Sequence, residues 1–165
     1  MAKDSSFDVV SEVDFQEVDN AYQQSTKELV QRYDLKDSGA TLEYDKGEHT
    51  FTLLAPSDFV AGQVKDILIG KFVKRQVDPQ ALNWKGPEGA SGGNVRYTGT
   101  IISGIDEDLI KKINKEIKAQ KFKAKTQIEG EKIRVSSASR DELQNVIAFL
   151  REQDFGIPLQ FVNYR

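Results

Sequence analysis

Five basic residues follow one another at short spacings in the second half of the chain. They are Lys123, Lys125, Lys132, Arg134 and Arg140. Ammonium and guanidinium groups are the side chains that bind phosphate oxygens most strongly, and arginine can do so with two parallel hydrogen bonds. Because side chains alternate between the two faces of a β-strand, the odd–even spacing of the first four puts them on one face of a predicted hairpin. The sequence therefore predicts that these five residues form a site for the phosphates of a nucleotide or of RNA.

The register of this hairpin decides what the cations face. A two-residue loop at 129–130 would place Lys125 directly opposite Arg134. Like charges in that position destabilise a strand pair, so an anion is expected to offset them. Two alternatives stay open: the phosphates of a bound nucleotide, or a salt network with the carboxylates of Asp8 and Glu12.

Catalysis is not expected, because the groups that perform it are missing or isolated. The chain has no cysteine and a single histidine, so a thiolate nucleophile is excluded and a Ser-His-Asp set would depend on His49. His49 falls on the inward side of its predicted strand, where it is expected to pack rather than to act as a base. The sequence has no EF-hand spacing, and no metal or other cofactor is predicted.

Charge is distributed unevenly along the chain. The net charge of −3 at pH 7 argues against a strongly basic nucleic-acid binder, although it allows a local basic patch. Residues 109–140 hold 10 Lys+Arg and 3 Asp+Glu, a net of +7. Within them, Lys111, Lys112, Lys115 and Lys118 share about 120° of one predicted helix. That face is either a solvated surface or a docking stripe for polyanions.

The pattern of predicted elements occurs twice. Each half has the order β-α-β-β-α-β, which is typical of an α+β ferredoxin-like fold with a four-stranded antiparallel sheet and two helices on one face. Helix N-caps are predicted at Asp14, Ser57, Asp106 and Ser139. Residues 85–94, which are rich in glycine, are predicted to form a linker.

Several longer motifs resemble those of the YajQ family. They are SFDVVSEVD at 6–14, QRYDLK at 31–36, KRQVD at 74–78, IEGEKIRVSSASRDELQ at 128–144 and PLQFVNYR at 158–165. The resemblance implies two ferredoxin-like domains in tandem, similar to RNP modules, that exchange their N-terminal strands. The first domain would comprise residues 14–103, and the second residues 1–13 together with 104–165.

The same resemblance implies a non-enzymatic nucleotide-binding protein. Members of the family are described as effectors of cyclic di-GMP, and some are linked to RNA or to transcription regulators, so these are the expected partners. The sequence has no apolar run near the roughly 20 residues of a membrane span, and no signal-peptide core is visible at its start. We therefore expect a cytoplasmic protein without a membrane partner. The chain has Ser137-Ala138-Ser139 where the family usually has Gly-Lys, which removes one cation beside Arg140.

Two other functions compete with nucleotide binding. An RNA-binding adaptor would use the same basic face to contact the phosphate backbone of RNA. RNP modules read bases with exposed aromatic residues on their central strands, however, and the matching positions hold Lys132, Arg134 and Ser136. A protein-interaction module would instead use exposed apolar surface. The residues predicted for that surface are Ile101, Ile102, Phe155 and Ile157.

Overall fold

The chain forms two compact units. The computed structural model describes residues 4–165, so residues 1–3 of the predicted second domain lie outside the described residues. The terminal unit contains the chain up to Glu12 and Ser103–Arg165, and the central unit contains Val13–Ile102. Each unit has a four-stranded antiparallel sheet and two long helices, which is the α+β ferredoxin-like architecture that the sequence predicts. The division into domains of residues 14–103 and of residues 1–13 with 104–165 stays a prediction.

Within residues 4–165, four α-helices and eight β-strands build the two units. In chain order they are β1 (Ser5–Val10), α1 (Phe15–Gln31), β2 (Thr41–Asp45), β3 (Thr50–Ala55), α2 (Asp58–Lys74), β4 (Leu82–Gly89), β5 (Val95–Ile101), α3 (Glu107–Ala119), β6 (Lys125–Glu129), β7 (Lys132–Ser137), α4 (Arg140–Glu152) and β8 (Gln160–Val162). None of the helices within residues 4–165 is long and apolar enough to cross a membrane.

The N-terminal strand of each repeat lies in the sheet of the other, as the family resemblance implies. In the terminal unit the strand order is β6-β7-β1-β8, and in the central unit it is β2-β3-β5-β4. Strand β1 thus pairs with β7 and β8, although the chain passes through the whole central unit before it reaches them. Strand β5 takes the equivalent inner position between β3 and β4.

Side-chain caps fix where each long helix begins. Asp14 accepts hydrogen bonds from the backbone of Gln16 and Glu17, and Ser139 accepts one from Glu142. Equivalent caps come from Ser57 and Asp106. These hydrogen bonds satisfy N–H groups that have no partner inside the helix, and all four predicted N-caps are confirmed.

The core of the terminal unit lies between its sheet and its helices. Phe7 and Val9 of β1 and Ile133 and Val135 of β7 are fully buried there. The helices contribute Ile110, Ile113, Ile117, Leu143, Val146, Ile147 and Leu150. Because side chains alternate between the two faces of a strand, the neighbours of these four residues in β1 and β7 face away from the helices.

The predicted apolar contact surface is wrong for Ile101, whereas Ile102, Phe155 and Ile157 are partly exposed. Ile101 is buried in the core of the central unit. Phe155 and Ile157 pack against the core of the terminal unit. The chain after α4 turns back through Gly156, whose φ is +80° and whose N–H donates to Asp154, and this turn carries both side chains inward.

Both hairpins differ from their predicted register by two residues. In the terminal unit Glu129 pairs with Lys132, so the loop is Gly130-Glu131 rather than 129–130. Gly130 then occupies the first loop position with φ +61°, a backbone conformation that favours glycine. In the central unit Asp45 pairs with Thr50. A shift by two keeps each side chain on its predicted face.

Residues 85–94 are not a linker between domains. Strand β4 continues through them to Gly89, with a bulge between Lys85 and Glu88, and pairs with β5. Gly86 lies in this bulge, where an added Cβ would come 2.7 Å from the backbone oxygen of Arg96. The glycine therefore allows a close approach of two strands and does not indicate a flexible connector.

Candidate functional site

The open face of the terminal sheet is the side away from its helices. Four of the five predicted site residues lie on this face or next to it. Strand pairing arranges its side chains in transverse rows. Gln127, Arg134 and Asp8 form one row across β6, β7 and β1, and Lys125, Ser136 and Ser6 form the next. Glu129 and Lys132 pair on the other side of the Arg134 row.

Asp8 is the centre of a charged network on this face. Its Oδ1 lies 3.0 Å from Arg134 Nε and its Oδ2 lies 3.5 Å from Lys132 Nζ. Asn163 Nδ2 also donates to Oδ2 at 2.9 Å. With 1% of its surface exposed, the carboxylate is covered by these partners. Removal from water raises the pKa of Asp8, but hydrogen bonds from Arg134 and Asn163, together with the nearby cationic charges, outweigh it and leave the pKa below its ordinary value.

The predicted repulsion between Lys125 and Arg134 is wrong, because the shifted register separates them. Lys125 pairs with Ser136 and Arg134 pairs with Gln127. The shift also moves Glu129 out of the loop and onto the open face, where its Oε1 lies 3.4 Å from Arg134 Nη1. The salt-network alternative therefore accounts for Arg134, with Asp8 and Glu129 as its acids.

Lys132 belongs to the same network. In addition to Asp8, it approaches Glu129 Oε2 at 4.0 Å. Glu12, which the sequence suggested as the second acid, instead engages Gln160 through its backbone N–H and carbonyl. Two of the five predicted cations are thus held by carboxylates of the sheet itself.

Lys123 and Lys125 are exposed and form no ion pair within residues 4–165. Lys123 lies just before β6, where its carbonyl oxygen accepts a 2.6 Å hydrogen bond from Ser137 Oγ. This contact fixes the backbone and leaves the ammonium group in solvent. These two lysines are available to an external anion.

Arg140, the fifth predicted cation, lies at the start of α4 and away from the Asp8 network. Its Nε donates to Ser5 Oγ at 3.3 Å, a neutral partner. It lines a cleft of about 350 Å³. The other described residues of the cleft are Ser5, Ser6, Leu143, Gln144, Tyr164 and Arg165.

The cleft beside Arg140 combines positive charge with an aromatic wall. None of the described residues that line it is acidic. Tyr164 is 58% exposed, and its ring centre lies 6.1 Å from that of Phe7. A second cleft at the opposite end of β1, of about 310 Å³, is lined by three acids, Glu12, Glu129 and Glu131, and one cation, Lys132. Of these two clefts, the one at Arg140 therefore suits an anion better.

Sequence reasoning missed Tyr164 and Arg165, and did not use Ser6. Ser6 and Arg165 exchange two backbone hydrogen bonds, at 3.1 and 3.0 Å, which bring the last residues of the chain beside the first strand. A signal for this was present in the exchange that the resemblance implies, which pairs residues 1–13 with strands of residues 104–165. Without a register, however, that pairing does not say which residues meet.

The fold and the cleft define a class of protein: a tandem of ferredoxin-like units with a cationic, aromatic-walled cleft in the unit that receives the N-terminal strand. The sequence model described as nucleotide-binding protein YajQ-like matches residues 5–165, so the chain belongs to the YajQ family. Relatives from Endomicrobium trichonymphae, Desulfitobacterium hafniense and Bacillus cereus strain AH187 are 46%, 47% and 46% identical to it. Each alignment covers both chains in full, and each relative is named a nucleotide-binding protein.

Proposed function

We propose that this protein binds a nucleotide without transforming it, in the cleft beside α4. The observation that carries the proposal is the environment of Arg140. Its guanidinium lines a concave site, contacts the neutral hydroxyl of Ser5 at 3.3 Å, and has no ion pair within residues 4–165. The names of the relatives support a nucleotide as the anion.

Each part of a nucleotide has a complement in this cleft. A phosphate would accept charge-assisted hydrogen bonds from Arg140 and a further bond from the hydroxyl of Ser5. The base would lie against Tyr164 and Leu143, because aromatic and apolar side chains stack well on bases. Gln144 offers both an amide donor and a carbonyl acceptor to a base edge. A cleft of about 350 Å³ is within the usual range for small-ligand sites.

A binding role fits the described residues better than a catalytic one. His49 packs face to face on Phe15 with ring centres 3.7 Å apart, and its Nδ1 lies 3.4 Å from the hydroxyl of Tyr44. It is half-buried in the central unit and serves packing. Within residues 4–165, no group of three or more metal-ligating side chains is placed to hold an ion. We infer a regulatory adaptor whose signal is the nucleotide, with cyclic di-GMP as one ligand of that class.

Isothermal titration of the full chain tests the proposal. Nucleoside mono- and diphosphates and cyclic dinucleotides are the ligands. We expect saturable binding by at least one of them and at least a tenfold loss in Arg140→Ala, since a hydrogen bond to a charged group contributes about 1.5–3 kcal/mol. Arg151→Ala is the control, because Arg151 lies on the same helix but over the ring of Phe161. Equal affinity in wild type and Arg140→Ala would refute the proposed site.

One observation favours RNA binding as a second candidate function. Lys112, Lys115 and Lys118 are exposed on α3 and form no ion pair within residues 4–165, whereas Lys111 pairs with Glu107 at 3.1 Å. Such a stripe would follow phosphate charge without reading sequence. For each contacted phosphate, RNA affinity should then fall about tenfold when the salt concentration rises tenfold. An affinity independent of salt would exclude this function.

A further inference from the structure

We propose that a second phosphate subsite adjoins the cleft, on the open face of the terminal sheet, and that the ligand is therefore a nucleotide chain with at least two phosphates. The subsite consists of Lys125, Ser136, Ser6 and Arg165. The inference rests on the proposed nucleotide function and specifies its ligand as a linear dinucleotide or a longer strand. Its support comes from strand register, side-chain direction and the distribution of charge.

Strand register aligns the four residues in one row across the sheet. Lys125 pairs with Ser136, and Ser136 pairs with Ser6. Arg165 continues the row, because it exchanges two backbone hydrogen bonds with Ser6. Neighbouring strands lie about 4.8 Å apart, so two hydroxyl groups separate two cations over about 14 Å.

The burial pattern shows which way the row faces. Phe7 is the neighbour of Ser6, Val135 is the neighbour of Ser136, and both apolar side chains are fully buried under the helices. Ser6 and Ser136 therefore face the open side, where each is partly exposed. Neither hydroxyl has a hydrogen-bond partner within residues 4–165, so both can donate to a ligand.

Charge distinguishes this row from its neighbour. In the adjacent row Arg134 is paired with Asp8 at 3.0 Å, and an added anion would have to displace that carboxylate. Lys125 and Arg165 have no such partner within residues 4–165. Along the chain, a carboxylate lies two residues to either side of Ser6: Asp8 is held by Arg134, and Asp4 is exposed just before β1. Of the two rows, the one at Lys125 is thus the one that can accept a phosphodiester.

The row and the cleft share residues. Ser6 and Arg165 line the cleft of Arg140 and also belong to the row on the open face. A phosphate held by Arg140 would therefore lie beside Ser6 and Arg165, and the row continues from Ser6 through Ser136 to Lys125. This arrangement fits consecutive phosphates of one nucleotide strand. It also gives a role to Lys125, which is exposed and takes no part in the Asp8 network.

The test compares AMP with the linear dinucleotide pApA in titrations of the full chain. We expect pApA to bind about tenfold more tightly than AMP. In Lys125→Ala this gain should disappear while AMP affinity stays unchanged, and in Arg140→Ala both affinities should fall. Lys85→Ala is the matched control, because Lys85 is an exposed lysine on an edge strand of the other sheet; it should alter neither affinity.

The outcomes separate the two proposals. Failure of pApA to bind would overturn this inference, whereas the proposed function falls only if none of the nucleotides in the first titration binds. Binding of AMP with no gain for pApA would overturn the second subsite alone. A gain that persists in both Lys125→Ala and a second variant, Ser136→Asp, which places a carboxylate in the row, would also overturn it.

Discussion

Asp8 of β1 and Arg134 of β7 lie opposite each other in the terminal sheet, with Arg134 Nε 3.0 Å from Asp8 Oδ1, although 126 residues separate them in the chain. Lys132 and Asn163 bind the same carboxylate from β7 and from the chain after β8. Asp8 therefore ties the strand on each side to β1. In the sequence, Lys132 and Arg134 look well suited to bind a ligand. In the fold, they hold the exchanged strand β1 in place.

Replacing Asp8 with alanine should lower the free energy of unfolding by about 2 kcal/mol, because two cations and an amide lose a covered charged partner. Urea denaturation followed by circular dichroism measures this change. Glu129→Ala is the control. Glu129 is 31% exposed and meets the same cations at longer distances, so its loss should cost less than about 1 kcal/mol. Equal losses in the two variants would contradict the central role of Asp8.

Stability should depend on pH through the same carboxylate. The pKa of Asp8 lies below its ordinary value of 3.8 in the folded protein, so the unfolded chain binds the proton first as pH falls. The contribution of Asp8 is thus fully present above about pH 5 and is lost as pH falls from about 4 through the lowered pKa. Urea denaturation between pH 7 and pH 2.5 should show that the free energies of unfolding of wild type and Asp8→Asn differ less at the acidic end. A difference that stays constant with pH would refute the linkage.

Gly99 of β5 should not accept even a methyl group. An added Cβ would lie 2.8 Å from the Trp84 ring and 2.9 Å from Leu82, both on the adjacent strand. We expect Gly99→Ala to destabilise the protein by about 1–3 kcal/mol through overpacking. Gly89→Ala is the control, since Gly89 lies on the paired strand with no atom within 4 Å of its added Cβ. Thermal unfolding compares the two, and an unchanged melting temperature for Gly99→Ala would contradict the packing.

Ser139 should contribute to folding and not to ligand affinity. Its hydroxyl accepts from the Glu142 N–H at the start of α4, and it does not line the neighbouring cleft. Ser139→Ala should therefore cost about 1 kcal/mol of unfolding free energy and leave nucleotide affinity unchanged. Ser57→Ala, which removes the corresponding cap of α2, should show the same loss. A fall in affinity without a loss of stability would assign Ser139 to the ligand.

Local patterns predicted the elements of this fold and the faces of its strands. The cap at Asp14 and the burial of Val135 follow from short-range spacing, and they hold although both hairpins are shifted. The shift is even, so it leaves each side chain on its face. The register itself depends on which loop position Gly130 takes, and alternating residues do not specify that.

The sequence predicted the cations of the candidate site but not their partners. Arg134 was expected to face Lys125, and it faces Gln127 and Asp8 instead. Tyr164 and Arg165 reach the cleft because the last and first strands pair, which is a contact between opposite ends of the chain. Contacts between residues so far apart in the chain produce no periodic pattern in the sequence. They could therefore be identified only from the structure.

The exchange of strands has a consequence for synthesis on the ribosome. Strand β1 emerges first, but β7 and β8, which flank it, emerge last, and the uninterrupted segment Val13–Ile102 can complete its own sheet in between. At about 5–20 residues per second, β1 waits on the order of ten seconds as an unpaired apolar strand carrying Phe7, Val9 and Val10. During that time the nascent chain displays a segment that a chaperone, or the β7 edge of another copy, can capture.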